Sequence, residues 1–215
     1  MPEEDNKTPF ETAVSLASSR MLSAFGAYTM WKWINQAINV NNTGGREQAE
    51  RNIAIFNRYT MVFGQLIKST YKSFVADLSI FFDKNYEDTF TIDKLLSLGE
   101  DRFSPEDIAE LKKKIVEIKK VQGKNISFLN ELRNADVAHQ EMDSKNRHLE
   151  YAHIEGLFKA AQEILNLISN KYNSSIHWWD HVDREMEHQM QWMVDNLERG
   201  EAARLEEIKR EYEAK

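Results

Sequence analysis

Residues 53–82 read IAIFNRYTMVFGQLIKSTYKSFVADLSIFF. Ile53, Phe56, Thr60, Phe63, Ile67, Tyr71, Phe74, Leu78 and Phe81 follow one another at steps of three or four. An α-helix turns once every 3.6 residues, so this spacing sets an apolar stripe along one helical face. Such a stripe is buried against other helices and predicts a bundle core. The spacing predicts one long helix through the whole stretch.

Working outward, the same period recurs. Thr8-Pro9-Phe10-Glu11 is a capping box with proline at the first helical position. From it Phe10, Val14, Ala17, Met21, Ala24, Tyr28, Trp31 and Ile38 keep helical spacing up to Asn41-Asn42-Thr43-Gly44-Gly45. Asp83 to Phe90 is polar and reads as a loop. A short helix with Ile92, Leu95 and Leu96 starts at Thr91 and stops at Gly99. Ser104-Pro105-Glu106-Asp107 is a second strong start signal, and Ile108, Leu111, Ile115 and Ile118 follow it. Ile126, Leu129 and Leu132 continue that face beyond Gly123. Ile154, Leu157, Phe158, Ala161, Ile164, Leu165 and Ile168 form another core helix. After Asn173-Ser174-Ser175 a final stripe comprises Trp178, Val182, Met186, Met190, Met193 and Leu197. Beyond it Leu205, Ile208 and Tyr212 give only a thin apolar edge, fit for a solvated helix or one packed on a partner.

No strand alternation and no fixed-period repeat occur. The reading is an all-α, up-and-down bundle of four to five long helices with a C-terminal helical extension. The expected organisation is a flexible tail at 1–8, a bundle at 9–172 and a C-terminal helix or extension at 173–215.

The bulk properties narrow the function. The chain has 215 residues with 28 Lys and Arg against 35 Asp and Glu, a net charge of −7. A polyanion-binding protein of this balance needs a local basic patch, because phosphate contacts need clustered cations. There is no cysteine, which excludes a disulfide scaffold, a thiolate metal site and a cysteine nucleophile. The N-terminal MPEEDNKTPF lacks the basic and apolar regions of a signal peptide. No apolar run reaches the ~18 residues of a membrane span. The expectation is a cytoplasmic protein with no membrane contact and no cofactor.

One segment breaks the helical logic: residues 132–140, LRNADVAHQ. On an unbroken helix Arg133 and His139 would point about 120° apart. They share a site only if the helix bends, or if a second copy supplies the missing partner. The pattern R-N-x-x-x-A-H, late in an all-helical chain, resembles the signature of the HEPN (higher eukaryotes and prokaryotes nucleotide-binding) superfamily. That signature is an Arg, four to six residues, then a His, often with a polar residue directly after the Arg. Arg133, Asn134 and His139 match it, with Ala138 as the small residue before the His. Residues 74–98 also resemble the abortive-infection branch, in which a helix ending in an aromatic-Asp pair precedes a short Thr/Ser-initiated helix. The resemblance spans roughly residues 53 to 168.

The resemblance implies a HEPN-like bundle that dimerises with its two motifs facing each other. It further implies a metal-independent endoribonuclease of a toxin–antitoxin or antiphage system. The residues suit that chemistry. Attack by RNA's own 2′-hydroxyl needs a group to move protons, and histidine does so near neutral pH. It also needs a permanent cation on the phosphate, and arginine is one. His139 would be the acid/base group, Arg133 the phosphate clamp and Asn134 the orienting residue. Lys119, Lys120 and Lys124, in a basic run just upstream, are the nearest substrate-binding cations. RNA, a second copy of the chain, and an antitoxin or other protein are the implied partners.

Other readings stay open. The same bundle could bind a nucleotide or a protein without cleavage. Arg133 could form a plain ion pair with a carboxylate beside an exposed histidine. Two Glu-x-x-His pairs, Glu150 with His153 and Glu185 with His188, have the spacing of carboxylate-bridged metal proteins. Glu150 falls unexpectedly near the centre of its helix's apolar stripe. His177, His181, Glu185 and His188 line one side of a continuous last helix and could hold an adventitious metal.

Overall fold

The capping box opens the first helix as the sequence requires. The Thr8 N–H donates to Glu11 Oε2 at 2.6 Å, and the Glu11 N–H reaches Thr8 Oγ1 at 3.4 Å. The computed structural model describes residues 7–84, 90–134 and 150–213, so most of the expected N-terminal tail lies outside it. Among the described residues there are eight helices and no strand. They are α1 (Pro9–Gln36), α2 (Arg46–Arg58), α3 (Thr60–Phe82), α4 (Ile92–Leu98), α5 (Pro105–Val121), α6 (Gly123–Leu132), α7 (Tyr151–Asn173) and α8 (Asp180–Glu213). The all-α class stands. Five helices, α1, α3, α5, α7 and α8, run 17 residues or longer.

Local chemistry sets the boundaries. Thr91 caps α4 by accepting the Lys94 N–H, and Ser104 caps α5 by accepting the Asp107 N–H ahead of Pro105. Gly45, at φ 115°, starts α2 in a conformation that disfavours any side chain. Gly99 ends α4, where an added Cβ would lie 2.7 Å from the Phe103 ring.

The single helix expected through residues 53–82 is instead two. The backbone departs from helical geometry at Tyr59 (φ −111°, ψ 37°). The Thr60 hydroxyl takes the Asn57 carbonyl at 2.6 Å, so the break leaves that acceptor satisfied. The apolar period survives because only one residue departs from the helix. A similar break at Gln122 (φ −93°, ψ 6°) separates α5 from α6.

The chain divides into two compact units. One comprises Met1–Phe25 and Lys72–Trp179; the other comprises Gly26–Tyr71 and Asp180–Lys215. In the first, α5, α6 and α7 pack together. Its core holds Phe74, Leu78 and Phe81 of α3 and Leu157, Ile164 and Ile168 of α7. Phe10 packs edge-on against both Phe103 and Tyr172. In the second unit α8 lies on α2, and Ile34, Ile55, Phe63, Met190 and Val194 form the core. Arg51 and Arg58 of α2 pair with Glu198 and Glu201 of α8.

Residues 174–179 correct two expectations. Ser174 takes a left-handed conformation after α7, and α8 begins only at Asp180. Without helix through this stretch the stripe's phase does not extend back to Trp178, which is 66% exposed, whereas Trp179 is 4% exposed and stacks near Phe25. His177 likewise leaves the row expected with His181, Glu185 and His188. Its Nε2 shares hydrogen bonds with Ser18 Oγ (3.2 Å) and Ser169 Oγ (2.8 Å), and Asn166 Oδ1 accepts the His177 backbone N–H. Burial pushes the imidazole's pKa below the ordinary 6.5, which suits a neutral ring tied to two hydroxyls.

The α1 start is also tied to α7. The Tyr172 hydroxyl donates to Glu11 Oε1, and with Thr8 it holds the Glu11 carboxyl at about 2, against an ordinary 4.5. A depressed carboxyl pKa adds stability above pH 4.5 that is lost as pH falls toward 2. The melting temperature of wild type should therefore exceed that of Glu11→Gln near pH 6, and the gap should close between pH 4.5 and 2. A gap that stays constant across that window would show that the carboxylate's charge contributes nothing.

Candidate active site

The site begins where α3 ends. A helix C-terminus presents unpaired carbonyls and a partial negative charge. Here Phe81 and Phe82 anchor that end in the core, and Asp83, the next residue, adds a carboxylate. Two cations answer this accumulation. Lys119 of α5 donates from Nζ to the Phe82 carbonyl at 3.2 Å. Arg133, just past α6, donates from Nη1 to Asp83 Oδ2 at 2.9 Å. Arg133 and Asp83 are 20% and 14% exposed, so water screens the pair only partly.

Arg133 owes its position to α6, whose Leu129 and Leu132 are buried and which packs on α7. The chain then opens into a wider, π-type turn at Arg133 and Asn134. Such turns re-aim side chains and recur at functional sites. Asn134 is exposed, and its Oδ1 lies 3.4 Å from both Nε and Nη2 of Arg133. Burial lowers the Lys119 pKa from its ordinary 10.5; nearby Asp93 and Asp83 oppose that shift and Lys84 reinforces it. The neighbourhood thus holds Lys84, Lys119 and Arg133 against Asp83 and Asp93. Among the described residues of this neighbourhood, three cations therefore stand against two carboxylates.

The arrangement places a fixed guanidinium and an adjacent amide at a helix exit. The family model described as AbiU2 (HEPN_AbiU2) matches residues 14–191 of this chain. The chain belongs to the AbiU2 family of the HEPN superfamily. No curated protein and no solved structure matches it. The abortive-infection branch read from the sequence is therefore correct, and the match runs well beyond residues 53 to 168. The element order of that branch is present too: α3 ends in Phe82-Asp83, and Thr91 caps the short α4.

Within this AbiU2 member the structure brings Arg133, Asn134 and Lys119 to one place. His139 lies outside the described residues. Lys120 and Lys124 are exposed, on α5 and α6 respectively. Asp83 is the participant that motif reading missed. Its sequence signal is the aromatic-Asp pair at the end of α3, which belongs to the family resemblance.

The rival constellations disperse. Glu150 is an exposed residue preceding α7 rather than a member of its apolar face, which explains its odd phase. His153, Glu185 and His188 are exposed. Among the described residues no three His, Asp or Glu side chains converge as a metal site. No helix among them is long and apolar enough to cross a membrane.

If the ion pair positions Arg133, removing either partner should be costly and the costs should not add. Arg133→Ala and Asp83→Ala should each destabilise by about 1–3 kcal/mol, and the double variant by little more than the worse single. Chemical denaturation of the four proteins reads this directly. Additive losses would mean that the two side chains act independently.

Proposed function

We propose that this AbiU2 member is a metal-independent endoribonuclease acting as a homodimer in an antiphage or toxin–antitoxin setting. The observation that carries the reading is the half-buried Arg133–Asp83 pair, which fixes a guanidinium beside Asn134 at the motif's first position. A guanidinium has five N–H donors. Asp83 holds one edge, and the contacts to Asn134 at 3.4 Å are long enough to yield to phosphate oxygens.

The chemistry follows from the groups. His139 takes the proton of the RNA 2′-hydroxyl, whose oxygen attacks the adjacent phosphorus. The bond from phosphorus to the 5′-oxygen breaks, and that oxygen leaves with a proton returned by histidine. The products are a 2′,3′-cyclic phosphate and a 5′-hydroxyl. Arg133 stabilises charge on the non-bridging oxygens, while Asn134 orients the imidazole or the phosphate. Lys119 contributes field from beside the α3 end, and exposed Lys120 and Lys124 meet the RNA backbone. Two motifs facing each other across the dimer make the site composite. RNA as substrate and the absence of cysteine both suit the cytoplasm.

Purified protein in EDTA should cleave RNA, and His139→Ala or Arg133→Ala should lower the rate by about 10²–10⁴-fold. Asn134→Ala should lower it less. DNA of the same sequence should be untouched, since it lacks the attacking hydroxyl. A folded dimer that leaves varied RNAs intact would shift the reading to a non-catalytic module, in which the same pair is a structural tie.

A further inference from the structure

One cavity lies wholly within the second unit and has no part in the active site described above. It opens between the end of α1, residues 42–44, α2 and α8, and measures about 240 Å³. Pockets for drug-sized ligands run from roughly 300 to 1,000 Å³, so this one takes a single ring system. Trp33 supplies an aromatic wall, half-buried and met by the Phe56 ring at 6.3 Å. Exposed Glu187 supplies a carboxylate, and five amide side chains complete the polar lining. Among the described residues no Lys or Arg lines it, so it offers no cation to a phosphate.

The amides are not interchangeable, because hydrogen bonds within the unit fix which end of each is engaged. The Ala37 carbonyl can only accept, so buried Asn52 turns its Nδ2 to it at 2.8 Å. Asn52 Oδ1 then accepts Gln48 Nε2 at 3.0 Å, which leaves Gln48 Oε1 over. On α8 the Asp195 carboxylate accepts Gln191 Nε2 at 2.9 Å, which leaves Gln191 Oε1 over. Two oriented amide oxygens and the Glu187 carboxylate thus remain as acceptors. The side chains of Gln36 and Asn42 make no hydrogen bond among the described residues, so each keeps both a donor and an acceptor.

We propose that this cavity binds a guanine base; the ribonuclease reading supplies its source, the RNA. Guanine carries N1–H and the N2 amine side by side, three N–H donors on one edge, and the acceptors O6 and N7 on the other. The donor edge matches in number and kind the acceptors left by Gln48, Gln191 and Glu187. The acceptor edge matches the free donors of Gln36 and Asn42. Adenine sets an acceptor where guanine has N1–H, and the pyrimidines carry fewer donors. A guanidinium has donors alone and would leave the Gln36 and Asn42 N–H groups unmatched. Sequence-specific proteins read single-stranded RNA in this manner, with an unstacked base on an aromatic ring and its edges hydrogen-bonded.

Calorimetric titration of the full-length protein with guanosine, inosine, adenosine, cytidine and glucose reads the proposal. Guanosine should bind about tenfold more tightly than adenosine or cytidine, and inosine, which lacks the N2 amine, several-fold more weakly than guanosine. Glu187→Ala and Gln191→Leu should each shrink the guanosine-to-adenosine ratio several-fold. Glu187→Lys, which sets a donor in place of an acceptor, should shrink it further, a graded change in preference that misfolding would not produce. On RNA, cut sites should cluster beside guanines, and Glu187→Ala should spread them to other bases. Guanosine preference with no RNA cleavage would support the cavity's assignment and count against the ribonuclease reading. Cleavage with no guanine preference, in binding or at the cut sites, would overturn the assignment alone. Guanosine bound no more tightly than adenosine or glucose would also overturn it.

Discussion

The geometry of the site depends on how the C-terminus of α3 is neutralised. Phe81 and Phe82 are buried, so α3 cannot slide to expose its last carbonyls to water. Asp83 then adds a full charge where the helix already carries a partial one. An acidic residue at a helix C-terminus is unfavourable alone, and it is retained here because α5 and α6 each deliver a cation to it. Lys119 takes the carbonyl and Arg133 the carboxylate. Three helices are thereby tied at one point. Arg133 cannot move without breaking its ion pair with a partly buried carboxylate, a costly outcome in a low-dielectric setting.

The tie works because the helices around it are set independently. The break at Gln122 separates α5 from α6, both pack on α7, and each buries its own apolar residues, Ile115 on α5 and Leu129 on α6. Arg20 of α1 adds a second restraint. It pairs with the buried Asp77 of α3 at 3.2 Å and lies over the Phe90 ring. The two ends of the connection between α3 and α4 are thus held from separate directions.

What the sequence made legible follows from the range of the interactions involved. Caps at Thr8, Thr91 and Ser104 could be read because each is completed within four residues, by groups adjacent in the chain. The helix period could be read because it repeats. The break at Tyr59 could not, since a single non-helical residue leaves the period nearly intact. Trp178 was misassigned for a related reason: extrapolating a phase assumes continuous helix, and residues 174–179 are not helical. Glu150's unexpected place in an apolar stripe has the same cause, its phase being computed for a helix it only precedes. Asp83 was legible as a pattern and not as a partner, because its pairing with Arg133 spans fifty residues and nothing local announces it.

Under the proposed ribonuclease function, Asp83 also resolves the conflict between an acidic chain and a polyanionic substrate. A bare guanidinium on such a surface would collect whichever carboxylate came nearest, and its direction would vary. A dedicated carboxylate reduces the net charge but fixes the orientation. Electrostatic catalysis depends on orientation more than on total charge, because donors already aimed at the developing oxyanion cost no reorganisation when it forms. The remaining field is restored by lysines that need no fixed direction, Lys120 and Lys124 among them. A low overall charge then limits indiscriminate binding to nucleic acid, while a preset arginine acts only on a phosphate that reaches it. Under that proposed function, this division between weak capture and strong local action is the physical advantage of pairing Arg133 with Asp83.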